Sequence, residues 1–368
     1  MTGAPRLFAN LGAEEGETWP RTAAHPRVRA AARLWAASFV GSARGVGPMT
    51  PVRAELSGPL ARDAERAALE LCDSGDALVP WLSTREAATW AERERVPLCA
   101  APPAVVARVH DKGFALGVAR AQGLLAPELA GALFALAPEE LDAADTVRCR
   151  IEGEVARWPP GFAASFALKP RFGTSGRGRL AGRDGRLDPE ALRGNLPRLR
   201  ERGGCLVEPW LERVADLSAQ LWVVASDDVR LLGTLVQAVT PLGVPLGHRA
   251  RLGRDGRAES GSRWDPELRA AALALGRAAA AAGYTGPCGL DAFSYRGADG
   301  AERFRAVVEL NARFTAGTSA LALIARARRV GVAESSTEFY LGAPPSPLDG
   351  RRIEIFPDDP DLALWLRD

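Results

Sequence analysis

The chain has 368 residues, of which 47% are hydrophobic and 25% are charged, and its formal net charge is +2. This length predicts two or three globular subdomains, and the balanced charge excludes the clustered basic face of a nucleic-acid-binding protein. No run approaches the roughly 20 apolar residues that span a membrane, and no secretory signal is predicted. Five scattered cysteines without a C-x-x-C pair indicate reduced thiols, so we expect a cytoplasmic protein.

The first part of the chain, up to about residue 105, is predicted to form a small α/β unit. Its predicted elements are strands at 7–11, 77–81 and 96–100 and helices at 27–39, 59–72 and 83–95. Ser83 followed by Glu86 is a capping-box signature for the last of these helices. The proline-rich segment 101–104 marks a domain boundary.

The rest of the chain is predicted to be an α+β region with antiparallel strands. Asp188-Pro-Glu and Asp265-Pro-Glu have the pattern of helix starts with proline in the first turn. The predicted helices cover 112–122, a segment beginning at 188, 265–283 and 319–330, and the predicted strands cover 166–170, 205–208, 217–225, 229–239, 288–295, 304–310 and 352–356. Residues 243–251, marked by glycine and proline, are predicted to form a loop between strands.

Lysine is almost absent from the chain. Of 47 basic residues, 45 are arginine and two are lysine, Lys112 and Lys169. An Ala-, Gly- and Arg-rich composition suggests a coding bias that replaces lysine wherever arginine suffices. A lysine that persists is expected where a compact ammonium is needed and a planar guanidinium does not fit. Chance persistence is the alternative, so the surroundings of the two lysines decide.

Oxygen-bearing side chains gather on the predicted strands 288–295 and 304–310. The Gly-Ala-Asp-Gly turn between them makes an antiparallel pair plausible, which allows Asp291, Glu309 and Asn311 to project into one site. Glu309 and Asn311 are two residues apart, so their side chains share a face of the strand. Two carboxylates and an amide oxygen suit Mg²⁺, which completes its coordination shell with waters and phosphates. A hairpin with acidic residues turned to solvent is the alternative.

A glycine loop follows the predicted strand 166–170. The run from Lys169 to Gly178 contains three glycines, two hydroxyls and a lysine, and glycine allows backbone N–H groups to approach phosphate oxygens closely. The loop matches neither G-x-x-x-x-G-K-[ST] nor G-x-G-x-x-G. An ordinary glycine hairpin is the alternative.

Taken in order, these motifs resemble the ATP-grasp superfamily over roughly residues 96–330. The order is Asp111-Lys112 opening a helix, the glycine loop, the segment from Glu208 to Leu211, Asp216, Asp291, and the E-x-N-x-R run from Glu309 to Arg313. The resemblance implies the ATP-grasp fold, an α+β and α/β architecture in which two α+β subdomains clamp ATP. It also implies domain limits of 1–105 for a small α/β pre-ATP-grasp domain, 106–330 for the ATP-grasp domain (about 112–212 and 213–330) and 331–368 for a C-terminal extension.

The resemblance further implies a role for each matching residue. The ATP phosphates would be bound by Lys112, Lys169 and the loop residues Thr174, Ser175, Gly176 and Gly178. The adenine edge would be bound by the backbone of Glu208, Pro209 and Leu211, and the ribose by Asp216. Two Mg²⁺ or Mn²⁺ ions would be bound by Asp291, Glu309 and Asn311, and the catalytic residues would be Arg313 and Lys169. Two departures weaken the match. Pro209 has no N–H to offer, and Asp216 stands where glutamate is usual, about one residue late.

The implied activity is that of an ATP-dependent carboxylate–amine ligase. A carboxylate would attack the γ-phosphoryl group to give an acyl phosphate and ADP, and an amine would then displace phosphate to form an amide or peptide bond. Small-molecule substrates, amino acids among them, are the expected partners; nucleic acid and membrane are not, and a homodimer stays open. His248, Arg249 and Arg251 are candidates for binding a substrate carboxylate, with a solvated loop as the alternative.

Two other functions stay open at this point. An ATP-grasp enzyme can use the acyl or carboxyl phosphate for carboxylation or phosphoryl transfer, and a fold relative can bind ATP without catalysis. The complete set of lysines, oxygen ligands and arginine argues against the non-catalytic module.

Overall fold

A computed structural model describes residues 4–14, 25–39, 43–47, 55–69, 75–173, 178–240, 245–342, 348–359 and 362–367. The chain divides into two compact units. The large unit comprises Met1–Val109, Leu217–Asp291 and Leu310–Asp368, and the small unit comprises His110–Asp216 and Ala292–Glu309. The domain limits inferred from the sequence stay a prediction. In the described part of the chain, no helix has both the length and the apolar character needed to cross a membrane.

Runs of strands and runs of helices follow one another along the chain. The strands are β1 (Arg6–Phe8), β2 (Arg44–Val46), β3 (Leu78–Pro80), β4 (Phe134–Leu136), β5 (Ser165–Pro170), β6 (Leu180–Arg183), β7 (Cys205–Pro209), β8 (Arg213–Val223), β9 (Val229–Val239), β10 (Pro245–Leu252), β11 (Ala258–Glu259), β12 (Gly286–Arg296), β13 (Glu302–Asn311), β14 (Glu338–Gly342), β15 (Arg351–Glu354) and β16 (Ala363–Arg367). The α-helices are α1 (Pro26–Ala36), α2 (Arg85–Glu94), α3 (Pro103–His110), α4 (Lys112–Ala121), α5 (Pro127–Ala130), α6 (Ala144–Val155), α7 (Pro189–Glu201), α8 (Asp265–Ala281) and α9 (Ala316–Arg329).

The N-terminal part of the large unit is a parallel three-stranded sheet in the order β2-β1-β3. Leu7 of β1 lies opposite Gly45 on one side and Val79 on the other. Parallel strands joined through helices are typical of α/β architecture, so this sheet agrees with the prediction for the first 105 residues.

A nine-stranded sheet has the order β13-β12-β8-β9-β11-β10-β14-β16-β15. Helix α8 packs on β9 and buries a stripe of leucine and alanine side chains. Helix α9 buries most of its length in an apolar core with Leu235 of β9 and Leu341 of β14. The last three strands, β14 to β16, extend the sheet beyond β10 through antiparallel pairs.

The small unit contains a four-stranded antiparallel sheet in the order β4-β7-β5-β6. Its core includes Trp158, Phe166 and Leu168, with helices α6 and α7 contributing further apolar side chains. The Asp188 carboxylate accepts hydrogen bonds from the N–H groups of Glu190 and Ala191, which confirms the predicted start of α7. This sheet places Lys169 of β5 beside β7, which carries Glu208.

Four local predictions were wrong. Within its described part, the predicted helix 59–72 is a 3₁₀ segment, Gly58–Asp63, in which Leu60 is the buried side chain, so this segment has too little apolar surface to stabilise a longer helix. Residues 70–72 of this prediction lie outside the described residues. Thr84, not Ser83, caps α2, because the Ser83 hydroxyl donates to the Ala101 carbonyl. The predicted strand 96–100 forms only an isolated bridge at Leu98.

The fourth wrong prediction is the loop at 243–251, of which residues 243 and 244 lie outside the described part of the chain. Residues 245–252 form β10, which pairs with β9 on one edge and β14 on the other. Its glycine and proline signals belong to a strand that is held by pairing on both edges, where tertiary context overrides local propensity.

Candidate functional site

Lys112 opens helix α4 and points its ammonium group at a carboxylate. Its Nζ lies 3.0 Å from Glu309 Oε2 and donates to the carbonyl oxygen of Gly173 at 3.1 Å. The side chains of Lys112 and Glu309 are 10% and 22% exposed. Burial raises the pKa of the Glu309 carboxyl, but the charge and hydrogen bond of Lys112, helped by Lys169 and His110, outweigh burial and lower the pKa to about 2. Glu309 is therefore ionised at neutral pH.

Asp111 fixes the start of the helix that carries Lys112. Its Oδ1 accepts the Gly113 N–H at 2.7 Å, which caps α4, and both of its oxygens accept from the guanidinium of Arg171 just after β5. A bidentate arginine–carboxylate pair is strong and directional. The predicted Asp111-Lys112 pair thus links the helix start to the chain that follows Lys169.

Lys169 and Arg305 share one buried carboxylate. Glu208 is 2% exposed; Lys169 Nζ donates to its Oε1, and Arg305 Nη2 donates to its Oε2 at 2.7 Å. Burial raises the pKa of Glu208, but the charges of Arg305 and Lys169 and their hydrogen bonds lower it to about 2. Lys169 also contributes to lowering the pKa of Glu309. The two lysines of the chain therefore act on one group of side chains in the small unit.

Arg305 was not predicted as a site residue, although the sequence contains a signal for it. Arg305 is four residues before Glu309 on β13, and alternate residues of a strand share a face. The fully buried guanidinium also donates to the Val307 carbonyl at 3.2 Å. A buried arginine needs a buried anion, and Glu208 supplies it.

The predicted adenine segment follows the buried Glu208. Pro209 lies opposite Phe166 of β5, and the Trp210 N–H donates to the Ser165 carbonyl at 2.8 Å. The Leu211 N–H makes no hydrogen bond with any residue that the structure describes. Asp216, the predicted ribose acceptor, is 13% exposed and accepts from Arg213 Nη1 at 2.5 Å. The adenine and ribose assignments stay predictions.

Three cations surround the indole of Trp210. The Arg179 guanidinium carbon lies 3.9 Å from the ring centroid, the Arg213 guanidinium carbon 5.5 Å and the Lys169 Nζ 5.9 Å. Cations are attracted to the electron-rich face of tryptophan, so the indole of Trp210 stabilises a cluster of positive charges.

The predicted phosphate loop is only partly described. Thr174, Ser175 and Gly176 lie outside the described residues. Gly178 has a φ of +75°, and a Cβ there would lie 3.1 Å from the guanidinium of Arg198. Both facts favour glycine at this position.

In the large unit, Asp291, Asn311 and Arg313 form a hydrogen-bonded chain. The Asp291 carboxylate accepts from Gln237 Nε2 at 2.6 Å and from Asn311 Nδ2 at 3.0 Å, and Asn311 Oδ1 accepts from Arg313 Nη2 at 3.1 Å. Gln237 on β9 was missed by sequence analysis, because only the sheet order brings it to Asp291.

Arg313 is held on several sides. Its Nε donates to Glu14 Oε1 at 2.5 Å, its Nη1 donates to the Phe314 carbonyl at 2.9 Å, and its guanidinium carbon lies 5.6 Å from the Trp81 ring centroid. The side chains of Arg313 and Glu14 are 11% and 3% exposed. These contacts fix the orientation of the guanidinium, and the sequence contained no signal for Glu14.

The residues proposed for a substrate carboxylate fall on the two faces of β10. His248 is buried and lies opposite Gln237 of β9, while Arg249 and Arg251 are exposed on the other face. Burial lowers the pKa of His248 to about 4, so the imidazole is neutral at neutral pH. A role in binding substrate stays a prediction for all three.

The predicted metal ligands are oxygen donors. Among the described residues, no group of three or more His, Cys, Asp and Glu side chains lies close enough to hold a metal ion. The predicted set instead mixes carboxylates and an amide, Asp291 and Asn311 in the large unit and Glu309 in the small unit. Such donors fit Mg²⁺ that keeps waters and binds substrate phosphates, and they do not resemble a dedicated protein cage. The metal assignment stays a prediction.

No protein-family model and no curated protein matches the chain. Solved structures do match it over nearly all of its length. Biotin carboxylase from Campylobacter jejuni has a TM-score of 0.52 and 14% identity and covers 98% of this chain and 86% of its own. The biotin carboxylase domain of Hydrogenobacter thermophilus 2-oxoglutarate carboxylase, in complex with MgADP and bicarbonate, has a TM-score of 0.52 and 15% identity and covers 100% and 86%.

A third match is N5-carboxyaminoimidazole synthetase from Staphylococcus aureus, complexed with ADP. It has a TM-score of 0.51 and 10% identity and covers 93% of this chain and 82% of its own. At these identities the likeness concerns the fold. It confirms the architecture that the order of motifs predicted: the chain has the fold of the ATP-grasp superfamily.

Proposed function

We propose that the chain is an ATP-dependent ligase that phosphorylates a carboxylate to an acyl phosphate and couples it to an amine. The observation that carries this proposal is the environment of the lysines. The only two lysines of the chain both lie in the small unit with side chains only 10% and 12% exposed, both are paired with carboxylates, and both lower the pKa of Glu309. A protein that uses arginine almost everywhere else retains ammonium groups at these two positions.

The pairing of lysines with carboxylates supports binding of a nucleotide with a divalent metal. A triphosphate bound with its metal brings both signs of charge, so phosphate oxygens can take the ammonium groups while the metal takes carboxylate oxygens. Lys112 and Glu309, 3.0 Å apart, are suited to these two partners. When bound, the metal would neutralise phosphate charge. In this proposal the ligands are Glu309, Asp291 and Asn311.

Arg313 supports the acyl-transfer part of the proposal. Its guanidinium is fixed by Asn311, Glu14 and Trp81, so it needs little reorganisation to stabilise negative charge. We assign it to the charge of the transferred phosphoryl group or the acyl phosphate. No side-chain nucleophile is required.

The reaction has two steps. A carboxylate oxygen attacks the γ-phosphorus, the bond to the β-phosphate oxygen breaks, and ADP leaves with the electron pair. The amine nitrogen then attacks the acyl carbon, phosphate leaves, and the nitrogen loses a proton to give the amide. Positioning and electrostatic stabilisation by Lys112, Lys169 and Arg313 account for catalysis in both steps.

The test measures ADP and phosphate release from Mg-ATP in the presence of pooled amino acids, with mass spectrometry of the products. The proposal expects release that requires both a carboxylate and an amine, and a product whose mass equals the sum of both less water. Release that needs only bicarbonate and an acceptor would favour carboxylation instead. Tight ATP binding without turnover in any pool would favour a binding module.

Paired variants test the site itself. Glu309→Gln should lower turnover by at least about a hundredfold, because a neutral amide no longer balances Lys112 or binds a metal well. Glu190→Gln is the matched control, since Glu190 is an exposed residue of the same unit that pairs with Arg193. Unchanged turnover in Glu309→Gln would remove the metal assignment.

A further inference from the structure

The small unit contains more positive than negative charge around Trp210. Lys169 and Arg305 share the carboxylate of Glu208, and Arg213 pairs with Asp216. Arg179 is the remaining cation beside this ring. Its guanidinium makes no hydrogen bond and no ion pair with any residue that the structure describes.

Arg179 is held in place although no carboxylate of the described residues pairs with it. It is partly buried, and its guanidinium carbon lies 3.9 Å from the centroid of the Trp210 ring. Burial and the like charge of Arg213 lower the pKa of Arg179 by more than the charge of Glu208 raises it, so the surroundings on balance disfavour its charge. Arginine nevertheless stays protonated in proteins. The site therefore keeps a cation that burial and the charge of Arg213 disfavour.

The geometry leaves the hydrogen-bonding edge of this guanidinium available. Stacking on an indole occupies a face of the planar group, whereas its five N–H donors lie in the plane. Two of these donors together match two oxygens of a phosphate. Lys169 lies 5.9 Å from the centroid of the same ring, so Arg179 belongs to the surroundings of a lysine already assigned to phosphate.

We infer that Arg179 binds the phosphates of the nucleotide as a third cation beside Lys112 and Lys169, with Trp210 orienting it. The inference rests on the proposed function, because the nucleotide supplies the anion. A purely structural cation–π contact is the competing explanation. It predicts loss of stability on removal of Arg179 and no effect that depends on ligand charge.

The test compares Arg179→Met, Arg179→Lys and wild type by calorimetric titration with Mg-ATP, Mg-ADP and adenosine. We expect Arg179→Met to weaken binding of Mg-ATP about tenfold, equivalent to about 1.4 kcal/mol, and to leave adenosine binding unchanged. Arg179→Lys should retain part of the affinity, because it keeps the charge but loses the planar fork. In the absence of nucleotide, Arg179→Met should melt at the wild-type temperature or above it.

Arg183→Met is the matched control, since Arg183 is an exposed arginine at the end of β6, four residues from Arg179. If Arg179→Met binds Mg-ATP as tightly as Arg183→Met and wild type do, the inference is wrong and the proposed function stands. An equal loss of affinity for adenosine and Mg-ATP would also overturn it. If wild type binds no nucleotide, the proposed function fails, and this inference fails with it.

Discussion

The carboxylate of Glu208 should be a main source of stability in the small unit. It is buried and neutralises two buried cations, Lys169 and Arg305. Its pKa falls from 4.5 to about 2 in the folded chain. Because a pKa lower by one corresponds to about 1.4 kcal/mol, the ionised carboxylate contributes about 3 kcal/mol to the free energy of unfolding at neutral pH. Glu208→Gln keeps the size of the side chain and removes this charge.

The contribution of Glu208 to the free energy of unfolding should decrease as the pH falls. A carboxyl whose folded pKa is depressed contributes fully above its unfolded pKa of 4.5, and the contribution is lost as the pH falls towards 2. The difference in unfolding free energy between wild type and Glu208→Gln should be about 3 kcal/mol at pH 7 and roughly half of that at pH 3. Glutamine cannot titrate, so the difference reports this carboxylate.

Urea unfolding followed by circular dichroism measures the difference at each pH. Glu212→Gln is the matched control, because Glu212 is 70% exposed and pairs with Arg296 on the surface. Such surface pairs contribute at most about 1 kcal/mol, so the control should unfold almost like wild type. A loss below about 1 kcal/mol in Glu208→Gln, or a loss that does not shrink at low pH, would refute the reasoning about buried charge.

Two further substitutions test other parts of the chain. Lys112→Arg keeps the charge but places a planar group where the ammonium contacts both Glu309 and the Gly173 carbonyl. Calorimetric titration of this variant should therefore show an ATP affinity at least about tenfold lower than that of wild type. Wild-type affinity would show that any cation suffices at this position. Arg326→Met should lower the unfolding free energy by about 3 kcal/mol in urea titrations, since the fully buried Arg326 donates to several backbone carbonyls, including that of Ala37. The exposed Arg277→Met is its control, and equal stability of the two variants would contradict the expected role.

The order of motifs predicted the fold, because each motif combines a recognisable local structure with side chains that a particular chemistry requires. Asp111 could be assigned to a helix start and Lys169 to a strand end from neighbouring residues alone, and both lie there. The scarcity of lysine added a signal that local patterns lack. Glycine, proline or apolar spacing without such a chemical requirement was less reliable: it found the helices Pro26–Ala36 and Asp265–Ala281 but gave wrong predictions at 59–72 and 243–251.

Contacts between distant segments could not be predicted in this way. Glu14 and Arg313 are 299 residues apart, and Gln237 reaches Asp291 only through the order of strands in the sheet. Strands β14 and β16 were missed because most of their residues are buried, so the alternation that marks a half-exposed strand is absent.

The charges of the small unit divide into two kinds, which should affect binding differently. Lys112 and Lys169 are each paired with a carboxylate in the folded chain. A phosphate that binds to either ammonium group therefore replaces one anion with another. Exchange of this kind preserves geometry but adds little net attraction. Arg179 has no such partner among the described residues, so a phosphate gains its charge without displacing a carboxylate. We therefore expect the lysines to act mainly through the position that they give the phosphates, so that even Lys112→Arg, which keeps the charge, weakens binding. Arg179 is expected to act mainly through the net attraction of its charge for an anion.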